Sequence, residues 1–425
     1  MTFHIRLVLS GRLDEHVLRN AVDRSIGRHP LLHARAAQLR PGRWYWTAAT
    51  AGGPNVDFAQ AAQPMRYPGF ARIDLRVENG VRIWARSDTA SSQIRFQFHH
   101  ACCDGIGAYQ FIEDVLCSYD ALAARGGEAS LRPLDAATLA HRSRPWSTGP
   151  TSMQRTAQDL WGVVAGTAAM VCGRPAPLYS PDPPMAQTGP DAVLTELPVH
   201  TFSRGESRRL RDIAFALGGS LNDLLLRDLF LALRGWNARH DHRAGRRRVR
   251  IIIPTSLRSP GDPDGTAANV VSIVFMGRGP GCERNPRRML RGIQWETRFL
   301  LGWRLSLSFL RACQILRVIP GGMTWLVNAH RCLATSVLSN VGRVFSRAPL
   351  RRRDRRLLVG DLTLERVESA PPVRPYTSAS LSSLTYARQL TLAMNYDPLH
   401  FRHDSAVGLM NHIVQQVRKT LEDGS

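Results

Sequence analysis

Stretches with strand periodicity and stretches with helix periodicity alternate along this chain, which predicts an α/β fold of layered sheets and helices. Two further observations shape that expectation. Strand-like alternation opens the chain and recurs just before residue 100. A proline-rich stretch near the middle interrupts the pattern, which then starts again.

Taken in order, Met1-Thr2-Phe3-His4-Ile5-Arg6-Leu7-Val8-Leu9 reads as an alternating strand. Ser92-Gln93-Ile94-Arg95-Phe96-Gln97-Phe98 puts Ile94, Phe96 and Phe98 on one face and Gln93 and Arg95 on the other, as a half-buried strand does. Asp104-Gly105 then opens a helix: Asp is a favourable N-cap, and Ile106, Tyr109, Ile112, Val115 and Leu116 follow at helical spacing. Pro175, Pro177, Pro181, Pro183, Pro184 and Pro190 mark a linker over residues 175–193, dividing the chain into units 1–174 and 194–425. After the linker, residues 194–197 read as a strand, 204–217 and 221–236 as helices, and 248–254 and 270–276 as strands. Residues 290–327 have a mostly helical pattern, broken at Pro320-Gly321-Gly322. Residues 336–341, 357–364 and 389–395 read as strands, and 405–421 as the closing helix.

A chain of 425 residues has ample core for two domains, and 44% hydrophobic with 21% charged residues is ordinary for a globular protein. The seven cysteines show no metal spacing: Cys102 and Cys103 are adjacent and the others scattered, so neither a zinc site nor a disulfide framework is expected. Free thiols fit a reducing cytoplasm, and the strand at the start does not read as a signal peptide. The apolar run over residues 160–172 is too short to span a bilayer, which takes about 20 residues.

The formal net charge is +22, and Lys419 is the only lysine, so arginine supplies nearly all of it. The arginines cluster at Arg243, Arg246, Arg247, Arg248 and Arg250, and again at Arg351, Arg352, Arg353, Arg355 and Arg356. Such clusters attract phosphates. The competing partners are nucleic acid, an anionic membrane surface, and coenzyme A phosphates or an acidic acyl carrier protein; plain solvated surface is the fourth reading. No nucleic-acid-binding motif accompanies the clusters. The apolar region 299–327, interrupted by Arg304, Arg311 and Arg317, is either helix packed on the second sheet or a basic amphipathic surface touching lipid.

The candidate chemistry sits in His99-His100-Ala101-Cys102-Cys103-Asp104-Gly105, an HHxxxDG pattern where a strand becomes a helix. Continued alternation puts His100 on the apolar face of Ile94, Phe96 and Phe98. Burial disfavours the imidazolium form, so His100 is held neutral, as a general base must be. The plainer alternative is two satisfied polar residues at a strand end.

This motif and its flanks resemble the active-site signature of the condensation-domain superfamily. That superfamily includes condensation domains of nonribosomal peptide synthetases, polyketide-associated and alcohol acyltransferases, and wax-ester synthase/diacylglycerol acyltransferases. Further landmarks follow in the superfamily's order. Arg12-Leu13-Asp14 with Leu18, Ala21 and Val22, then Arg28-His29-Pro30-Leu31-Leu32, resemble its first helix and the strand that follows. Ser220-Leu221-Asn222-Asp223 resembles an S/T-x-N-D helix start. Pro254-Thr255-Ser256-Leu257-Arg258 with Asn269 resembles P-x-S-x-R … G-N, with Ala268 in place of the glycine, and Ser339-Asn340-Val341-Gly342 resembles S-N-x-G.

The resemblance implies two chloramphenicol-acetyltransferase-like subdomains in a V, with His100 at the floor of a tunnel between them. It implies acyl transfer from a coenzyme A or acyl-carrier-protein thioester to a hydroxyl or amine, His100 being the base and no cofactor or metal permanently bound. Ester formation on a hydrophobic small-molecule or lipid alcohol leads; amide formation, or a non-catalytic relative that binds acyl thioesters, are the alternatives. His99, Asp104 and Gly105 complete the motif, with Gly105 and the new helix N-terminus letting backbone amides approach the substrate. In the superfamily Asp104 is structural and paired to an arginine; His33 stands at the usual arginine position, and Arg35, sharing its face on a strand, is the expected substitute. Asn222, Ser339 and Asn340 are the expected site residues of the second half. With no carrier or adenylation domain in the sequence, a stand-alone cytoplasmic monomer is expected, with peripheral membrane contact as a further option.

Specific nucleic-acid binding is not expected. Affinity for an oligonucleotide should be weak, indifferent to sequence, and fall steeply with salt, because a charged surface alone acts through counterion release. Tight, sequence-selective binding at about 0.15 M salt in a gel-shift titration would overturn this.

Overall fold

A computed structural model describes residues 1–40, 43–48, 52–124, 127–141, 174–183, 189–241, 246–258, 265–302, 306–322, 332–374 and 376–423. The apolar run at residues 160–172 and Arg243 lie outside the described residues.

In the first half, β1 (Thr2–Ser10) leads into α1 (Glu15–Ile26), whose first turn is capped by the Asp14 side chain accepting from Val17 N. A single helical turn, α2 (Pro30–His33), comes next, then a small hairpin of β2 (Arg35–Arg40) and β3 (Arg43–Thr47). After it come β4 (Val56–Gln60), β5 (Val81–Ser87), β6 (Ser91–His99), α3 (Gly105–Ala123) and a short α4 (Thr138–His141). The second half runs β7 (Val199–Thr201), α5 (Arg204–Ala216), α6 (Leu221–His240), β8 (Val249–Ser256), β9 (Val271–Arg278), α7 (Pro286–Gly302) and α8 (Ser306–Val318). It ends with β10 (Ser336–Arg343), β11 (Arg352–Arg353), β12 (Arg356–Val359), β13 (Leu362–Ala370), β14 (Ala379–Tyr386), β15 (Gln389–Tyr396) and α9 (His403–Asp423). Capping boxes start α5, from Ser203 and Glu206, and α6, from Ser220 and Asp223, which is why both helices begin where the sequence predicts.

The elements form two layered sheets, as expected, but the chain does not divide cleanly between them. The first sheet has the order β11-β12-β13-β1-β6-β5-β4, and the second β7-β15-β14-β10-β8-β9. Residues 352–370 therefore return to the first sheet, and the boundary expected at residues 175–193 does not partition the sheets. The physical reason is the edge of β1. With only β6 beside it, β1 would leave one row of N–H and C=O groups unpaired, and β13 fills that row antiparallel from His4↔Ala370 to Ser10↔Thr363.

On its apolar face the first sheet shares one core with α1 and α3, in which Ile5, Leu7, Phe96, Phe98, Phe111 and Val115 are fully buried. The other face of β6 differs from expectation: Arg95 and Gln97 are buried too. Irregular segments at residues 61–79 and 189–196 lie across this face, and their backbone carbonyls accept from three of its side chains. Arg95 Nη1 donates to Thr195 O (3.0 Å), Gln97 Nε2 to Ala71 O (2.7 Å) and Arg82 Nη1 to Phe70 O (2.9 Å). Residues 194–197, expected as a strand, belong to this cover instead, and the strand begins only at Val199. In the second half α8 packs on β9, with Phe309 against Phe275, while Ile315, Val318 and Ile319 remain exposed. Among the described residues no helix is long and apolar enough to cross a membrane.

Glu368 holds the returning strand to β1 by more than its backbone ladder. Its carboxylate is fully buried and accepts from Arg6 Nε (2.5 Å) and Arg366 Nε (2.7 Å). Glu368→Ala leaves Arg6 without this partner and should cost about 3–5 kcal/mol of unfolding free energy. A denaturant midpoint equal to that of wild type would show that the backbone ladder alone suffices.

Candidate active site

The first sheet aims the HHxxxDG segment at the second half. β6 ends at His99, whose N–H donates to Gly80 O, and the chain turns as Cys102 N donates to His99 O, both at 2.9 Å. His100 sits in this turn, its N–H bonded to Met1 O (2.9 Å) and its ring edge-on to Phe3 at 5.3 Å. It is half-buried, and desolvation lowers its pKa below the ordinary 6.5; the charge of Arg374 acts the same way, while Asp104 and a bond to the residue's own carbonyl oppose. The imidazole is therefore neutral at neutral pH. Asn269 Nδ2, a donor only, lies 3.2 Å from His100 Nδ1. His99 is also neutral, with burial taking its pKa down to about 4, and its Nδ1 accepts from Ala101 N (3.2 Å).

Asp104 does three things at once. Its Oδ1 accepts from Gly107 N (2.9 Å), capping α3, while Oδ2 accepts from Arg258 Nη1 (2.7 Å) and from Val270 N (2.8 Å). The expected pairing of Asp104 with Arg35 is thus overturned in favour of Arg258, from the other half of the chain. The strand-phase argument that selected Arg35 fails because Pro30–His33 is a helical turn, and Arg35 instead starts β2 opposite Thr47. Arg258 reaches Asp104 because it lies just past the end of β8, where the segment from Thr266 to Val270 crosses onto the first half.

That segment is fastened along its length. Ala267 N donates to His29 Nδ1 (2.9 Å), and His29, with Nδ1 accepting, carries its proton on Nε2 toward Asp114 Oδ2 (3.2 Å). Ala268 O accepts from Asp104 N (3.2 Å) and Arg258 Nη2 (2.9 Å), and Asn269 Nδ2 donates to His100 O (2.7 Å). The tight glycine is Gly107, where a Cβ would stand 2.8 Å from Ala268 N. Beside Gly105 the space is open, with nothing within 4 Å of where a Cβ would stand, so its place in the motif relieves no close contact. Sequence patterns mark Arg258, Asn269 and His29 as landmarks without roles and pass over Gly107; the available signal was a second glycine two residues after Asp104-Gly105.

Of the residues expected from the second half, Asn222 and Asn340 meet: Asn340 Nδ2 donates to Asn222 Oδ1 (3.2 Å), and both line a cavity of about 360 Å³. Ser339 is not among the residues lining it. The arginine clusters do not flank His100 as a pair. Arg351 to Arg356 belong to the hairpin beside the first residues of β13, Val359 pairing with Leu362, whereas His99 pairs with Thr2 near the far end, about 26 Å away at roughly 3.3 Å per step along the nine residues of β13. In the other cluster Arg250 is buried in β8 with its guanidinium 5.9 Å from the Phe275 ring. Among the described residues no group of three His, Cys, Asp or Glu side chains is placed to hold a metal.

Asp104→Ala and Arg258→Ala should each lower unfolding free energy by about 3–5 kcal/mol. The double mutant should lose little more than either single one, because the two remove the same interaction. Arg35→Ala should stay within about 0.5 kcal/mol of wild type. Additive losses in denaturant titrations of these variants would contradict the pairing.

No family model matches the sequence, and no curated protein sequence does. Solved structures do. The first condensation domain of the CDA synthetase superposes with a TM-score of 0.69 at 13% identity, covering 99% of this chain and 91% of that one. The SgcC5 protein from Streptomyces globisporus gives 0.66 at 14%, covering 99% and 92%. The starter condensation domain of rhizomide synthetase, in complex with C8-CoA and Leu-SNAC, gives 0.65 at 14%, covering 100% and 89%. An epimerization domain from tyrocidine synthetase also matches, at 0.65 and 13%, so the architecture hosts more than one chemistry. The chain is built on the fold that condensation domains share.

Proposed function

We propose that the protein is an acyltransferase in which His100 is the general base, moving an acyl group from a thioester to a hydroxyl or amine acceptor. The observation that carries this reading is a neutral imidazole in the turn that leads from β6 into α3, with open space at Gly105, where that helix begins. The neutral imidazole takes the acceptor's proton as its oxygen or nitrogen bonds to the thioester carbonyl carbon. Negative charge develops on the carbonyl oxygen, where the helix N-terminus is a source of favourable dipole. Collapse breaks the carbon–sulfur bond, and the imidazolium returns its proton to the thiolate, giving ester or amide plus free thiol.

Two neighbours support the substrate classes. The rhizomide starter domain was solved with an acyl-CoA and an aminoacyl thioester analogue, and SgcC5 with an aryl ethanediol. Ester formation with a hydrophobic hydroxyl acceptor is the leading branch, with the donor on coenzyme A or a carrier protein. Amide formation is the second reading, favoured by the condensation-domain neighbours.

The test is thiol release from mixed acyl thioesters in the presence of alcohols or amines, with products identified by mass spectrometry. His100→Ala should lower the rate by about 10²- to 10⁴-fold while the protein stays folded, and His99→Ala should be milder. Because the base must be neutral and its pKa is lowered, kcat/KM should rise with pH through an apparent pKa below 6.5 and stay flat above it. Wild-type turnover in folded His100→Ala protein would sink the base assignment. Thioester binding without turnover under any acceptor would point to a non-catalytic relative.

A further inference from the structure

A cation near the active site has no counter-charge among the described residues. β1 lies between β6 and β13, and its first residues pair with the ends of both, Thr2 with His99 and His4 with Ala370. β13 therefore leaves the first sheet at the same end as β6. The chain beyond Ala370 emerges beside the turn of His100, whose N–H is bonded to Met1 O. Pro371 and Pro372 have no N–H to continue the ladder, and their carbonyls are tied instead to the second sheet. Asn395 Nδ2 donates to Pro371 O (2.9 Å) and Ser380 Oγ to Pro372 O (3.1 Å). Arg374 follows, its own carbonyl accepting from Thr377 N (3.1 Å). Tyr376 at φ +63° and Ser378 at φ +56° then hold left-handed backbone, a strain that collects at ligand-binding segments.

The Arg374 guanidinium is half-buried and desolvated, and its charge reaches both His100 and Cys313 of α8. It donates to no described residue and pairs with no described carboxylate. Other half-buried arginines differ: Arg258 has Asp104, Arg28 has Asp114 and Arg278 has Glu296. A desolvated cation without a partner is unfavourable, and arginine cannot lose its proton to escape. Three anions of an acyl transfer could meet it. The oxyanion of the reaction exists only in passing, and the phosphates of coenzyme A lie a whole pantetheine arm from the sulfur. A carboxylate on the acceptor is present from the moment of binding, and it matches the planar guanidinium fork with two parallel hydrogen bonds.

We infer that Arg374 binds a carboxylate of the acceptor, so that the acceptor is a hydroxy acid or an amino acid presenting its hydroxyl or amine to His100. The assignment rests on the acyl-transfer reading of the site and names its acceptor class. It gives the unpaired guanidinium a partner in the bound state, formed where water is scarce and a charge pair is stronger than at an open surface.

The experiment is isothermal titration of the whole protein with hydroxy acids and amino acids, each beside its neutral mate. Phenyllactate and lactate are paired with their methyl esters, phenylalanine and leucine with their amides. At least one acid should bind about 10- to 100-fold more tightly than its mate, as a charged hydrogen-bond pair provides. Arg374→Gln should erase that preference, while Arg374→Lys, which keeps the charge and loses the fork, should retain part of it. Because the free protein offers the guanidinium no described counter-charge, Arg374→Gln should melt at or above the wild-type temperature. A clearly lower Tm by circular dichroism would give Arg374 a structural task and overturn the assignment. A panel with no acid preference, or a preference that survives in Arg374→Gln, would overturn it too. So would an equal loss of kcat with acids and neutral mates in the thiol-release assay, which belongs to an oxyanion donor. Acid binding that Arg374→Gln abolishes, with no thiol release under any acceptor, would leave the carboxylate site standing and remove the catalytic reading of His100.

Discussion

The Asp104 carboxylate is the interaction on which the rest of the site depends. One side chain caps α3, pairs with Arg258 and accepts from Val270 N, so a single buried charge ties a helix start in one half to two segments of the other. A carboxylate this buried is tolerable only because its lone pairs are met by a guanidinium and two backbone N–H groups. Its neighbour in the chain, His100, inherits the benefit. The crossing segment that Asp104 holds also brings Asn269 onto His100 O, which fixes the turn from which the imidazole projects.

Electrostatically, His100 is poised by its surroundings in a way its residue type alone does not secure. An exposed histidine would be part cation near pH 6.5, but desolvation keeps this one neutral. The space beside Gly105 is open, while Gly107 is packed tightly onto Ala267 and Ala268. Two glycines two residues apart thus have opposite surroundings, and only contact geometry tells them apart.

Both sheets show how a strand's neighbours decide its role. In the first, β13 covers the open edge of β1 and brings Glu368 to Arg6. In the second, a bulge in β10 and Pro254 in β8 keep the two strands from pairing past two residues, and the resulting gap holds a cavity. A sheet continuous at that point would have left no cavity there.

The sequence by itself determined the elements whose signals are local. Period-two alternation placed β1 and β6, Asp104 capped α3 as its residue type and the following apolar spacing require, and the Ser220/Asp223 box started α6. The same local order marked His99, His100, Asp104, Asn222 and Asn340 as residues to watch. Tertiary structure alone decided who meets whom. Whether the polar face of β6 is wet or buried depends on loops at residues 61–79 and 189–196 that carry no periodicity, and Asp104 found Arg258, 154 positions away, instead of Arg35. Alternation and capping are properties of a few adjacent residues and can be read along the chain. Ion pairs, strand order and the split between β8 and β10 are properties of the space between segments, set by packing and by the need to pair every buried polar group.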